Sequence, residues 1–358
     1  MALSFLLWAP LFFALLGALL GRRMAPKVAL FGSAVTLGMA IFYIADFDTG
    51  KAGLQHVTDT VWIAALGIHY KLGVDGLNLF LLTLTTLLWC VATLYAYFRS
   101  WDRPQLFFFF MGLAESAVLG AFLSQDLALF VAFFDLMLVP FYFLIGTWGG
   151  RKRVQATTKL VIYTLVGSLL MLAAAIATGV ESVGNSGQIS FALSDLVRVG
   201  LPVGTQEWIF LLFAAAFLVK MPAFPVHGWL PDGYRAMPIP VVAVFSAVLS
   251  KVAAYGFIRI VLPLFPQAAV HFQELLLLIA LASILYGSIM AFTQTDLRLI
   301  VGFSSIAQLG FITLGIFALN PQGTQGALLQ MVNHGLVTAA LFFIIAVLAA
   351  REIGRAHV

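Results

Sequence analysis

Apolar runs of about 20 residues recur from one end of the chain to the other, each long enough to cross a bilayer as a helix. Lipid offers no water to an exposed N–H or C=O, so a spanning segment must close its backbone hydrogen bonds as a helix or within a sealed barrel. Barrel strands are short and alternate in polarity. These runs are long and continuously apolar, so the chain reads as an all-α integral membrane protein, a multi-span helical bundle. Composition agrees. Of 358 residues, 62% are hydrophobic and 9% charged, against roughly 25% charged in soluble domains, and mean hydropathy is +1.04.

Eleven spans are expected, at 3–20, 28–45, 76–98, 105–123, 127–145, 159–178, 207–229, 238–261, 271–292, 297–318 and 326–349. The first run is followed, not preceded, by Arg22-Arg23, the reverse of a cleaved signal peptide, and reads as a retained span. The connections then alternate in charge. One side receives Arg22, Arg23, Lys27, Arg99, Arg103, Arg151, Lys152, Arg153, Lys159, Arg235, Arg298 and Arg351; the other receives only Lys51, Lys71, Arg198 and Arg259. The positive-inside rule puts the N-terminus outside and the Arg151 loop in the cytoplasm. The net charge of +4 is spread over short loops, so no nucleic-acid partner is expected. One cysteine, Cys90, cannot build a disulfide framework, a zinc site or an iron–sulfur ligand set.

Two external connections are longer, at 46–75 and 180–206, and in the second the residues around Ile189 to Arg198 read as a short interfacial or strand-like piece. Neither is given a function. The last seven residues, Glu352 to Val358, back-translate to a common sequencing adapter read in frame, and are expected to be a non-native tail on a frame cut short.

Ionisable side chains inside spans stand out because each costs on the order of 2.5–3.5 kcal/mol near the bilayer centre. Asp135 lies roughly 12 Å into its span and Lys220 roughly 20 Å beyond Glu207, at 1.5 Å per residue. Lys251, His334 and Glu115 are also deep within theirs. The blander alternatives are a snorkelling anchor for either lysine, a packing counter-ion for Asp135, and a hydrogen-bonded core residue for His334. Both lysines lie far from a helix end, which favours a polar path.

A second feature adjoins Lys220. Pro222, Pro225 and Pro231 remove three backbone donors within ten residues. In lipid the freed carbonyls need water or protein partners, and broken helices at mid-membrane line ion sites in transporters. The alternative is a kinked packing helix.

The segment Val219-Lys220-Met221-Pro222 through His227-Gly228-Trp229-Leu230-Pro231-Asp232, with Leu249-Ser250-Lys251-Val252-Ala253-Ala254-Tyr255-Gly256, resembles the antiporter-like membrane subunits of complex I (NADH:quinone oxidoreductase). It is similar also to their relatives in Mrp-type cation/proton antiporters and membrane-bound hydrogenases. Phe133-Phe134-Asp135-Leu136-Met137-Leu138-Val139-Pro140, Trp148-Gly149-Gly150, Tyr163 to Met171 and Gly73-Val74-Asp75-Gly76-Leu77 resemble the subunit M branch.

The resemblance implies about fourteen helices on two inverted five-helix repeats. Residues 1–104 would hold three N-terminal spans, 105–262 the first repeat with its broken seventh helix, and 263–351 part of a second repeat. A second broken helix would lie beyond Arg351. The resemblance also implies proton translocation by a non-redox translocase subunit, with adjacent antiporter-like subunits, the lipid bilayer and protons as partners. NAD, flavin, iron–sulfur clusters and quinone are expected in other subunits, with no cofactor or metal in this chain.

Proton-path residues implied are Asp135, Lys220, Lys251 and His334, with Glu115, His227 and Gln308 as further candidates. Asp135 stands where the family usually has Glu, Gly233 and Tyr234 where it has Ala and His, and Gln308 where many members have His. Gln308 can hold a water wire but cannot itself bind and release a proton at physiological pH. The expected mechanism is a coupled titration in which ionised Asp135 keeps Lys220 charged, and loss of that charge passes a proton toward Lys251 and His334. Competing readings are an Mrp-type sodium/proton antiporter subunit, a hydrogenase-associated subunit and a non-transporting spacer. A membrane-embedded enzyme lacks any nucleophile–base or metal-ligand grouping in the sequence.

Overall fold

Apolar runs that must close their own backbone bonds become helices, and the chain is helical almost throughout. The structure is a computed structural model that describes residues 3–351, without the side chains of Asn185 and Ser186; the expected tail at 352–358 lies outside the described residues. The chain divides into two compact units, Met1–Leu144 with Thr178–Val199, and Ile145–Ala177 with Gly200–Val358.

The first unit holds α1 (Leu3–Leu19), α2 (Ala25–Ala45), β1 (Gln55–Ile63), β2 (Ile68–Val74), α3 (Leu79–Tyr97), α4 (Pro104–Leu123) and α5 (Leu127–Leu136). It also takes the start of α6 (Leu138–Trp148), the end of α7 (Arg153–Ser186) and α8 (Leu193–Val199). Helices α1 and α4 approach closely at Gly112, where a Cβ would come within 2.7 Å of the Pro10 carbonyl oxygen. Such contacts matter in lipid, where helices associate through close packing and not through water exclusion.

The all-α expectation is corrected here. The 46–75 connection folds as an antiparallel hairpin of β1 and β2. Its strands are rich in β-branched and aromatic residues, and they lie outside the spans, where water can satisfy a strand edge. Gly67 ends the turn at φ +60°, and a Cβ there would come within 2.1 Å of the Ile189 carbonyl oxygen, so the position demands glycine. The hairpin is tied to neighbouring loops by His69 N–H to the Asp126 carboxylate (3.0 Å) and Gln125 N–H to the Lys71 carbonyl (2.8 Å). The second long connection is a short helix, α8, and a single bridge pairs Ala192 with Asp126.

The second unit continues through α9 (Val203–Lys220), α10 (Leu230–Ala236) and the span Ile239–Leu264. That span is built from α11 (Ile239–Val244), α12 (Ser250–Gly256) and α13 (Leu262–Leu264), joined by π turns at Phe245–Leu249 and Phe257–Val261. Then come α14 (Pro266–His271), α15 (Gln273–Phe292), α16 (Leu297–Phe317) and α17 (Pro321–Ala350). Two helix starts are capped by side chains: Asp296 accepts from Arg298 N–H (2.9 Å), and Asn320 from Gly323 N–H (2.8 Å). Gly287 and Gly310 let α15 and α16 touch backbone to backbone, since added Cβ atoms would lie 2.6 Å from Ala307 N and 2.8 Å from Ala280 O.

All eleven expected spans contain a helix. Ten helices among the described residues are long and apolar enough to cross a membrane, and Leu3–Leu19 is apolar but only 17 residues long. The seventh span, expected over 207–229, stops as a helix at Lys220.

Candidate functional site

Lys251 sits in α12, on the span that the two π turns distort, and none of its surface is exposed to solvent. The π turn Phe245–Leu249 precedes it directly, and the Ser246 carbonyl in that turn accepts a hydrogen bond from Lys251 Nζ at 2.8 Å. Its second partner comes from α17: His334 Nδ1 lies 2.8 Å from Nζ, bridging 83 residues of sequence. A charged hydrogen bond contributes about 1.5–3 kcal/mol, so two of them are comparable with the ~3 kcal/mol insertion cost of a buried lysine. Both groups cannot carry charge. Two cations this close repel by roughly 6 kcal/mol even at an effective dielectric of about 20. At most one of the two is therefore charged, and the contact can be made by an ammonium donating to Nδ1 or by Nδ1–H donating to an amine.

His334 also lines a cavity of about 250 Å³ with Ser304, Ser305, Gln308, Gln330 and Asn333. Gln330 Nε2 donates to Gln308 Oε1 at 2.6 Å, fixing the two amides against one another. The cavity is polar and several times the ~30 Å³ that a water occupies, which suits it to hydration. The π turn, Ser304, Ser305, Gln330 and Asn333 were not among the expected site residues. A signal was present: Gln330, His334 and Thr338 recur every four residues on α17, and Ser304 and Gln308 do so on α16, each a polar stripe in an apolar span.

Lys220 closes α9, where the helix dipole favours a cation, and is buried. Pro222 sets this end, because the residue before a proline avoids helical geometry. The freed groups are accounted for. Ala223 N–H reaches the Leu218 carbonyl (2.9 Å), the Trp229 indole reaches the Val219 carbonyl (3.0 Å), and Phe224 N–H reaches Ser283 Oγ (2.9 Å). Three of the groups around the break are thus held by protein partners. His227, within it, packs its ring against Tyr286 (4.7 Å) and Phe224 (5.8 Å), and its Nδ1 has no hydrogen-bond partner among the described residues.

Two candidates belong to the first unit. Asp135 is half-buried one residue before the end of α5. The interruption between α5 and α6 falls at Met137 because Pro140 cannot donate to the Leu136 carbonyl and crowds it. Glu115 is buried within α4, and its Oε1 has no partner among the described residues. The structure therefore joins Lys251 to His334 directly and places Gln308 beside the same cavity.

At the end of the second unit that carries the basic loop, Gly150 N–H binds the Ala236 carbonyl (2.8 Å) and Arg298 Nη1 binds the carbonyls of Met237 (2.9 Å) and Arg235 (3.2 Å). Lys159 pairs with Asp232 (2.5 Å) and Arg235 with Asp296 (2.8 Å). Among the described residues, no group of three or more His, Cys, Asp or Glu is placed to hold a metal ion.

Comparison with known proteins gives a consistent result. Residues 124–356 match the family described as NADH:quinone oxidoreductase/Mrp antiporter, transmembrane. The chain is 37% identical to NADH-quinone oxidoreductase subunit M of Rhodobacter capsulatus, over 98% of this chain and 70% of that protein. Among other curated relatives, the share of their length spanned falls as low as 55%. A chain of respiratory complex I from Thermus thermophilus with bound NADH superposes with a TM-score of 0.86 at 30% identity, covering 95% of this chain and 70% of that one. A chain of the Mrp complex from Dietzia sp. DQ12-45-1b superposes with a TM-score of 0.82 at 25% identity, covering 95% of this chain and 37% of that one.

Proposed function

We propose, from the premise that this chain belongs to the complex I subunit M/Mrp antiporter-like membrane subunit family, that it translocates protons as a non-redox subunit of a membrane-bound NADH:quinone oxidoreductase. The observation that carries this is the buried 2.8 Å contact between Lys251 and His334. A proton crosses it without separating charge: the ammonium becomes an amine as the imidazole becomes imidazolium. The imidazole has a second ring nitrogen, so a proton accepted at Nδ1 can be given up at Nε2, toward the cavity of Ser304, Gln308 and Gln330.

Lys220, at the C-terminal end of α9 where the helix dipole favours a cation, is the proposed supplier of that proton. Asp135, Glu115 and His227 remain proposed members of the path, and the coupled titration of Asp135 with Lys220 remains a proposal from their sequence context. The division into a first repeat at 105–262 and part of a second at 263–351 belongs to the same proposal. So do the cytoplasmic placement of the Arg151 loop in a bacterial inner membrane and the seating of this chain beside further antiporter-like subunits. NAD, flavin, iron–sulfur clusters and quinone would sit in partner subunits.

The test is Lys251→Met in the assembled complex, in sealed vesicles, following proton uptake driven by quinone reduction. Proton translocation predicts normal assembly with uptake reduced by at least two orders of magnitude, the scale on which a general acid–base group acts. Uptake equal to that of the parent would leave a spacer role. The likeness to the Mrp complex supports a second reading, sodium/proton exchange, for which uptake would depend on sodium in the vesicle medium.

A further inference from the structure

We infer that Ser283 is a positioning residue, which holds the broken segment after Lys220 in a fixed place against the helix pair α15 and α16. This rests on the proton-translocating reading above and adds to it a residue that lies outside the proton path.

Proline stops α9 but does not choose where the chain goes next. Pro222 and Pro225 remove two donors and steer the residues before them, Met221 and Phe224, away from helical geometry. Most of the bonds that follow stay within the segment and its flanking helices. Ala223 N–H donates to the Leu218 carbonyl (2.9 Å), the Trp229 indole to the Val219 carbonyl (3.0 Å) and Leu230 N–H to the His227 carbonyl (3.0 Å). Such local bonds travel with the segment if it shifts. One bond does not. Phe224 N–H donates to Ser283 Oγ on α15 (2.9 Å), and among the described residues this is the hydrogen bond that ties 221–229 to a separate span.

The chemistry of the serine suits this task. A serine within a helix can satisfy itself by donating to the carbonyl four residues back, and Ser283 does so, to Ile279 (2.8 Å). That bond uses its only hydrogen and leaves the oxygen as an acceptor, which the Phe224 N–H meets. Alanine offers no acceptor there. Ser283 is fully buried, on the α15 stripe of Leu276, Ala280, Ser283 and Gly287.

Helix α15 is in turn a fixed reference. At Gly287, one turn beyond Ser283, the backbones of α15 and α16 touch: an added Cβ would lie 2.6 Å from Ala307 N and 2.7 Å from Phe303 O. Ser304 and Gln308, on the same stretch of α16, line the cavity of His334. Tyr286, three residues after Ser283, reaches back to the segment with its ring 5.1 Å from Phe224 and 4.7 Å from His227. The Ser283 hydroxyl and the Tyr286 ring therefore form a seat for residues 224–227, and α16 sets where that seat lies relative to the cavity. Lys220 is four residues before Phe224 and closes α9. A segment that leaves its seat moves the end of α9, and Lys220 and His227 with it. Ser283 acts through those two residues and does not itself titrate.

The experiment uses the assembled complex, with deuterium exchange of the 221–229 amides and, in sealed vesicles, proton uptake per quinone reduced. Threonine and valine share a shape and differ in the hydroxyl, so Ser283→Thr against Ser283→Val separates the hydrogen bond from packing. Positioning predicts that the Phe224 amide exchanges about tenfold faster in Ser283→Val and Ser283→Ala, the scale of a buried donor that loses its partner. Uptake in both falls by about tenfold or more, the scale of a misplaced reacting group, while Ser283→Thr keeps both readouts near the parent. Parent-level exchange in Ser283→Ala overturns the inference, because the bond then holds nothing. So does faster exchange with parent-level uptake, which leaves a structural tie alone, and so does an equal loss in Ser283→Thr and Ser283→Val, which is the mark of packing. If the added methyl prevents assembly of both, Ser283→Ala decides: faster exchange with reduced uptake supports positioning, and either readout at the parent level overturns it. Lys251→Met separates the two claims. Unimpaired uptake there removes the proton-path reading itself, whereas impaired uptake there with parent-level uptake in Ser283→Ala removes only the role of Ser283.

Discussion

An ammonium with no solvent exposure persists only where hydrogen bonds replace its hydration, and Lys251 has a backbone carbonyl and an imidazole in place of water. The imidazole partner can take the proton, and that makes the contact chemical as well as structural. Outside the membrane, a different cluster sets a pH dependence. Asp59 on β1 is pushed up by partial burial, but hydrogen bonds from His69 (2.7 Å) and Lys71 and the charges of both outweigh it and hold the carboxyl below its usual value. A carboxyl lowered on folding stabilises the hairpin above its unfolded pKa of about 3.9, and that contribution is lost as pH falls through the lower folded value. Hydrogen exchange of the hairpin amides in lipid, compared at pH 7 and at a pH below the lowered carboxyl value, should therefore be faster in Asp59→Asn at the first and alike in variant and parent at the second. Equal protection at both pH values would remove Asp59 from the hairpin's stability.

The elements show what a linear reading can and cannot reach. The eleven apolar runs were legible because a bilayer leaves so few options, and the break after Lys220 was legible because proline cannot donate. The hairpin was not, because its strands lie in a loop whose composition carries no span signal. One consequence is testable: Gly67→Ala should cost about 1–2 kcal/mol for the left-handed backbone, and more from the clash with the Ile189 carbonyl. Faster exchange of the β1 and β2 amides checks it, and unaltered exchange would mean the turn relaxes freely. The π turns were also hidden, since no residue type in Phe245–Leu249 or Phe257–Val261 encodes a wider turn. Lys251 and His334 were each visible as charges out of place, but their contact depends on α12 and α17 meeting, which no local pattern specifies.

For the whole molecule, membrane orientation follows from charge. Arg235 and Arg298 converge on one end of the second unit, and Arg151-Lys152-Arg153 belongs to that end through Gly150. Cysteines introduced at Lys152 and at Lys51, with Cys90 replaced by serine, should react with an impermeant thiol reagent from opposite faces of oriented vesicles, Lys152 from the cytoplasmic face. Labelling of both from one face would contradict the alternation of spans. The proposed proton movement would belong to the assembled complex, and Lys251→Arg tests it most directly. Guanidinium keeps the positive charge in the span but cannot give up its proton. With assembly and quinone reduction intact, transfer through Lys251 predicts that proton uptake in sealed vesicles collapses in Lys251→Arg as it does in Lys251→Met. Uptake in Lys251→Arg equal to that of the parent would show that the position supplies charge alone, and that the proton travels by another route.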